Sequence, residues 1–199
     1  MNDERPVRNS AQELYNLAEP QSGYFTTAQA REAGYSQRQL TYYVRAGRFL
    51  RVHPGIYRLA QYPGGPHEDL YVAQLRCGPA SVISHDSALA YYGLSDVLPG
   101  RIHVTIPRTA SHRHALLQIH TNRLGANDVK NVGGLRITSV TRTIADVAFA
   151  GLADELVVQA TREAIERGMV LQSALLEYAQ RRGGRMLRLV TEAIRGQSR

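Results

Sequence analysis

Residues 23–60 read GYFTTAQAREAGYSQRQLTYYVRAGRFLRVHPGIYRLA, and their spacing decides the fold of the N-terminal part of the chain. Thr26 with Gln29 has the form of a capping box, in which side chain and backbone at a helix start satisfy each other's donors. Ser36 with Gln39 repeats the form, and Gly34 and Gly47 stand where the two helices would need a left-handed residue to stop. Upstream, Ser10 with Glu13 makes a third box, opening a helix through Leu14 and Leu17. On the helix that begins at Gln37, residues Leu40, Tyr43, Val44 and Gly47 recur at spacings of three and four and are predicted to face inward. Gln37, Arg38, Thr41, Tyr42, Arg45 and Arg48 are left outward, with three arginines and no carboxylate among them. Leu50-Arg51-Val52-His53 then alternates as a half-buried strand, Pro54-Gly55 turns, and Ile56-Tyr57-Arg58-Leu59 returns. Two short helices joined by a turn and followed by a basic hairpin are the order of a winged helix-turn-helix. Its second helix is shaped for the DNA major groove, and its hairpin can reach the neighbouring backbone.

Charge agrees with a polyanionic partner. Residues 20–66 hold six arginines and one acid, Glu32, about +5 of a chain total of +7. On this reading Arg38 and Arg45 contact base edges or phosphates and Gln37, Thr41 and Tyr42 tune specificity. Arg48, Arg51 and Arg58 hold the phosphate backbone, with His53 beside Arg51 and Arg58 on the polar face of the hairpin.

The same segment resembles the N-terminal winged-helix domain of the AbiEi family, the antitoxins of type IV toxin–antitoxin systems. The resemblance lies in GxxTTAQAREAGxSxRQLxxxVRAGRxxRVxPGIYRLA over about 40 residues. It continues more weakly through SHDSALAYYGLSD (residues 84–96) and GLRITSVTRTIADVA (residues 134–148). It implies a two-part molecule. The first part would bind double-stranded operator DNA of its own operon, and the rest would counter a nucleotidyltransferase toxin encoded alongside. The alternative is a stand-alone winged-helix regulator whose C-terminal domain binds an effector or partner.

The remaining sequence predicts an α+β protein in two parts: a winged helix-turn-helix over 1–62, a linker at 63–66 within QYPGGP, and a partner-binding domain over 67–199. The second part reads as a helix over 67–77 and another after Ser84. Short strands follow at 101–107, 115–121 and 135–139, and then four helices between 141 and 194. A small antiparallel sheet followed by a helical cluster is the expectation. The N-terminus lacks the apolar stretch of a signal peptide, and no apolar run is long enough to cross a bilayer. The single cysteine, Cys77, reads as a buried thiol of a cytoplasmic protein.

Catalysis is not expected, nor a cofactor or metal. His112 and His114 lie in a Ser/His/Arg loop without thiols or carboxylates. Ser84-His85-Asp86 contains the residue types of a triad, but adjacent residues cannot form the relay, and Ser84 reads as a helix cap. Asp128-Val129-Lys130 has the local form of a metal-dependent nuclease, a module to which related winged helices are often fused, yet it sits in a polar, Gly-rich connection. No phosphate-binding loop is present. Near the C-terminus Arg181, Arg182, Arg185, Arg188, Arg195 and Arg199 cluster with only Glu192 among them. The first four are candidate partner-binding residues; a solvated helix face, added DNA-backbone contact and docking on an acidic toxin surface all fit that pattern.

Overall fold

The computed structural model describes residues 7–107 and 116–196. The chain forms two compact units: residues up to Pro79 with Val132–Leu135, and Ala80–Asn131 with Arg136 onward.

Unit 1 begins with α1 (Val7–Ala18), whose Leu14 and Ala18 are buried. Ser10 lies inside this helix and does not start it, so the third expected capping box is not formed; Leu17 is also more exposed than expected. After a 3-10 turn come β1 (Tyr24–Thr26), α2 (Thr27–Glu32) and α3 (Gln37–Arg45). Both remaining boxes are present. Thr26 and Ser36 each accept from the third backbone amide of their helix, and Gln29 and Gln39 reach back to the cap amides. The hairpin is β2 (Phe49–His53) and β3 (Ile56–Leu59).

β3 is the centre of a three-stranded sheet, ordered β1-β3-β2. The register pairs Tyr24 and Leu50 with Arg58, Phe25 and Arg51 with Tyr57, and Phe49 with Leu59. One face carries Phe25, Phe49, Tyr57 and Leu59, which pack with Leu14, Ala30 and Leu40 of the helices and with Tyr35 between α2 and α3. Phe49 is the hub of this aromatic cluster, with ring centroids of Phe25 at 5.1 Å, Tyr43 at 5.1 Å and Tyr35 at 5.7 Å. Yet Ile56 and Tyr57, adjacent on the strand and so on opposite faces, are both buried. The second face is therefore covered as well.

Its cover is α4 (Glu68–Cys77), which packs on β1 with the Tyr71 ring stacked 5.1 Å from Tyr24. Residues 63–66, expected as a domain linker, are irregular, but the compact units do not divide there. The segment packs on its own unit: a Cβ placed on Gly64 would come within 2.5 Å of Arg58 Nη1. Cys77 is buried in α4, and burial pushes its thiol up from the ordinary range.

Unit 2 is built on a five-stranded sheet ordered β6-β5-β4-β8-β7. Its strands are β4 (Val82–Ile83), β5 (Ile102–Thr105), β6 (Leu117–His120), β7 (Val129–Val132) and β8 (Leu135–Thr138). β4 runs antiparallel to β5, while the β4–β8 and β5–β6 pairs are parallel, so parallel pairs join the antiparallel ones expected. Helix α5 (His85–Tyr91) follows β4. Helices α6 (Val140–Ala150), α7 (Asp154–Glu166), α8 (Gln172–Arg182) and α9 (Gly184–Arg195) then form the C-terminal cluster. Its core includes Leu89, Ile144, Val157, Leu175, Met186 and Leu189. The α+β class holds.

Two glycines test the backbone of unit 1. Gly23 and Gly47 both have left-handed φ, +84° and +69°, but a Cβ on Gly23 would lie 2.4 Å from the Tyr62 ring while one on Gly47 meets nothing within 4 Å. Gly47→Ala should cost about 1–2 kcal/mol of unfolding free energy, the backbone term alone. Gly23→Ala should cost clearly more; equal losses in chemical denaturation would refute the packing described. Arg58→Ala should lower stability by about 1–3 kcal/mol, because it strips a hydrogen-bonded charge partner from Tyr24 and Glu68. The same denaturation curves check it.

Candidate nucleic-acid interface

Helix α3 presents its polar face as the spacing predicts. Leu40 is buried, and Tyr43 and Val44 are half-buried. Gln37, Arg38, Thr41, Tyr42 and Arg45 are exposed, as is Arg48 just beyond the helix. Gly47, expected inward, is instead exposed and lies past the C-cap Ala46, where it only turns the chain. Thr41 Oγ1 donates to the Gln37 carbonyl at 3.0 Å. Tyr42 is 65 % exposed with its ring against the edge of Tyr43, so a large aromatic stands in solvent beside Arg38 and Arg45 on the same helix. The Arg48 guanidinium lies 5.8 Å from the centre of the Tyr43 ring, a cation–π contact at the edge of the aromatic cluster. Nine residues of helix span roughly 14 Å, enough to lie along a major groove about 12 Å wide.

These arginines are distinguished by what they lack. Among the described residues, Arg38, Arg45, Arg48 and Arg51 form no salt bridge. On the wing, Arg51 is exposed, and His53 is half-buried at the β-bulge with Nδ1 3.2 Å from the Pro54 carbonyl. Arg58 is a correction. Its side chain is only 12 % exposed and turns to the face covered by α4, with Nη1 3.1 Å from Glu68 Oε2 and 3.3 Å from the Tyr24 hydroxyl. It closes the sheet and is not presented to a phosphate backbone. The polar alternation of the hairpin suggested an open face because the covering helix lies beyond the Pro-Gly segment.

The C-terminal arginines contrast with α3. Arg185 Nε donates to Asp154 Oδ1 at 3.0 Å, and its guanidinium also reaches the carbonyls of Ala148 and Leu152, tying α9 to the end of α6 and the start of α7. Arg188 pairs with Asp154 Oδ2 at 2.6 Å, and the two arginines hold the Asp154 carboxyl below its ordinary range. Arg181 pairs with Glu177, and Arg182 lies 5.7 Å from the centre of the Phe149 ring. The expectation of a cluster opposed by Glu192 alone is therefore corrected: the fold brings Asp154 and Glu177 to it, and Arg185 is a structural tie. Arg199 lies outside the described residues.

The nuclease-like triplet is also accounted for. Asp128 accepts from Arg142 Nη1 at 3.0 Å, from the Tyr178 hydroxyl at 3.2 Å and from the Gly125 amide at 2.9 Å, while Lys130 is exposed on β7. Arg142, 4 % exposed, also binds Asp146 at 2.8 Å; those carboxylates keep it charged against the cost of burial.

His112 and His114 lie outside the described residues. Ser84 occupies the N-cap position of α5, but its hydroxyl makes no cap bond; it accepts from Thr105 Oγ1 and meets His85 Nδ1 instead. There the structure assembles something the sequence reading missed. His85 from α5, His103 from β5 and His120 from β6 converge, with one ring nitrogen of each within 4.8 Å of the others. They stand 17 and 18 residues apart, a separation no local motif covers, and only the parallel β5–β6 register brings the strand pair together.

Comparison with known proteins agrees with the N-terminal geometry. No curated protein matches the chain. The RV2827C protein from Mycobacterium tuberculosis, known as a crystal structure, is similar in fold at a TM-score of 0.52 and 16 % identity, over 98 % of this chain and 82 % of that one. Residues 12–60, which hold the latter part of α1, the helix-turn-helix and the wing, match the family described as "Transcriptional regulator, AbiEi antitoxin".

Proposed function

We propose that the chain is a DNA-binding antitoxin that represses the promoter of its own operon through α3 and the wing. The rest of the molecule counters a nucleotidyltransferase toxin. The observation that carries the DNA-binding part is the exposed face of α3 and the turn after it, where Arg38, Arg45 and Arg48 stand without carboxylate partners among the described residues, beside Gln37, Thr41 and Tyr42. An arginine surplus held free of internal ion pairs retains its field and releases counterions when it meets phosphates. On this reading Arg38 and Arg45 contact base edges or phosphates, Arg48 and Arg51 hold the backbone, and His53 approaches it from the wing turn. The match of residues 12–60 to the antitoxin family supports the regulatory and antitoxin parts of the reading.

Binding to a duplex from the chain's own promoter should weaken steeply with salt, since each phosphate neutralised adds about 0.9 to the log–log slope. Affinity that is flat with salt would sink the proposal. In the intact chain, Arg45→Ala, and to a similar degree Arg38→Ala, should cost about 1–3 kcal/mol on the specific site if either contacts a guanine edge. Arg51→Ala should weaken specific and random duplexes about equally. The Arg38→Ala/Arg45→Ala double variant should derepress a promoter reporter and still protect growth against the co-expressed toxin. Loss of both together would contradict the assignment of toxin control to the rest of the molecule.

A further inference from the structure

We propose that His85, His103 and His120 form a three-histidine site for a divalent transition-metal ion of the zinc type. The fourth position would be left to water or an external ligand. The inference is independent of the DNA-binding face and concerns unit 2 alone.

One nitrogen pair, itself within hydrogen-bond distance, already has the spacing of ligands sharing an ion, and the third nitrogen lies within 4.8 Å of both. His120 Nε2 lies 3.3 Å from His103 Nδ1. A tetrahedral ion with metal–nitrogen bonds of about 2.0–2.1 Å holds two nitrogens roughly 3.4 Å apart. The outward nitrogens are meanwhile engaged from behind. His85 Nδ1 meets Ser84 Oγ at 2.9 Å, and Thr105 Oγ1 donates to that hydroxyl at 2.8 Å, which leaves Nε2 of His85 for the cluster. His103 Nε2 faces Asp86 Oδ2 at 3.9 Å. A hydroxyl bonded behind His85 and a carboxylate facing His103 put on two of the three imidazoles the kind of group that orients metal-binding histidines and fixes their tautomers.

Burial is the main cause that holds His85 down to about 3 and His120 down to about 4, and it lowers His103 as well. Neutral imidazoles keep the lone pairs a metal needs. Arg142 is the nearby cation that bears on His85, and its charge is met by Asp128 and Asp146. His85 further adopts a left-handed backbone, φ +50°, at the start of α5. Such strain in a residue other than glycine is uncommon and clusters at ligand sites.

One feature of the rings sets the signature of binding. His85 and His120 are stacked nearly parallel, 10° apart with centroids at 3.5 Å. Parallel rings cannot both aim a lone pair at one atom, so an ion has to splay the stack.

The test uses the full-length chain, stripped with a chelator and titrated with Zn2+ by calorimetry and with Co2+ by visible absorption. One ion per chain is expected, with tetrahedral Co2+ bands that Zn2+ displaces. Ring-nitrogen NMR should show the three imidazoles shifting together while His53 stays put. His103→Gln and His120→Gln should each weaken Zn2+ by more than about 100-fold, and Ser84→Ala by at least about tenfold. A His112→Ala/His114→Ala variant should bind as the parent does. The ring-nitrogen spectrum of the parent stands even where a variant fails to fold, which circular dichroism would reveal. No saturable binding, binding that survives both glutamine changes in folded protein, or binding abolished by the His112/His114 change would each overturn the site.

Discussion

The geometry of the N-terminal unit depends on a sheet of three short strands that is buried on both faces. On one side Phe49 gathers Phe25, Tyr35 and Tyr43, and this cluster sets the depth at which α3 sits. On the other side Arg58 is held between the Tyr24 hydroxyl and Glu68 under α4. An isolated two-stranded hairpin is marginal in water; the third strand and the helices packed on both faces are what give so small a sheet independent stability. Under the proposed function this cover matters, because a helix that reads bases must carry its side chains at fixed positions. The exposed residues of α3 are thus positioned by residues that never meet solvent.

Partnering sorts the arginines more sharply than their number does. In unit 2, Arg142, Arg185 and Arg188 are bound to Asp128, Asp146 and Asp154, so their charge is spent on joining helices. In unit 1 Arg58 is used this way, whereas Arg38, Arg45, Arg48 and Arg51 face solvent and form no salt bridge among the described residues. A field available to an outside polyanion arises from the second group. Net charge alone would have credited both ends of the chain equally.

Much of this was legible in the sequence, for local reasons. Two capping boxes, a left-handed glycine after each helix and a Pro-Gly turn depend on neighbours within four residues, and all formed as read. The box at Ser10 failed because α1 starts earlier, at Val7, and a Ser–Glu pair three apart inside a helix looks identical in sequence. Strands β1 and β4 were missed since two or three residues are too few to show a period and they exist through pairing with distant strands, and β7 because Val-Lys-Asn-Val does not alternate. Arg58, Arg185 and the three histidines share one cause of misreading. Their partners lie 10 residues or more away, at Glu68, at Asp154 and across the β5–β6 pair, where periodicity carries no information.

The most direct measurement is an amide and arginine side-chain NMR titration of the full chain with a duplex from its own promoter. The account predicts that the largest changes fall on Gln37, Arg38, Thr41, Tyr42, Arg45 and Arg48, with smaller ones at Arg51 and His53. The Arg58 guanidinium should stay as it is in the free protein. Changes concentrated on α8 and α9, or an α3 left unperturbed at saturation, would contradict it.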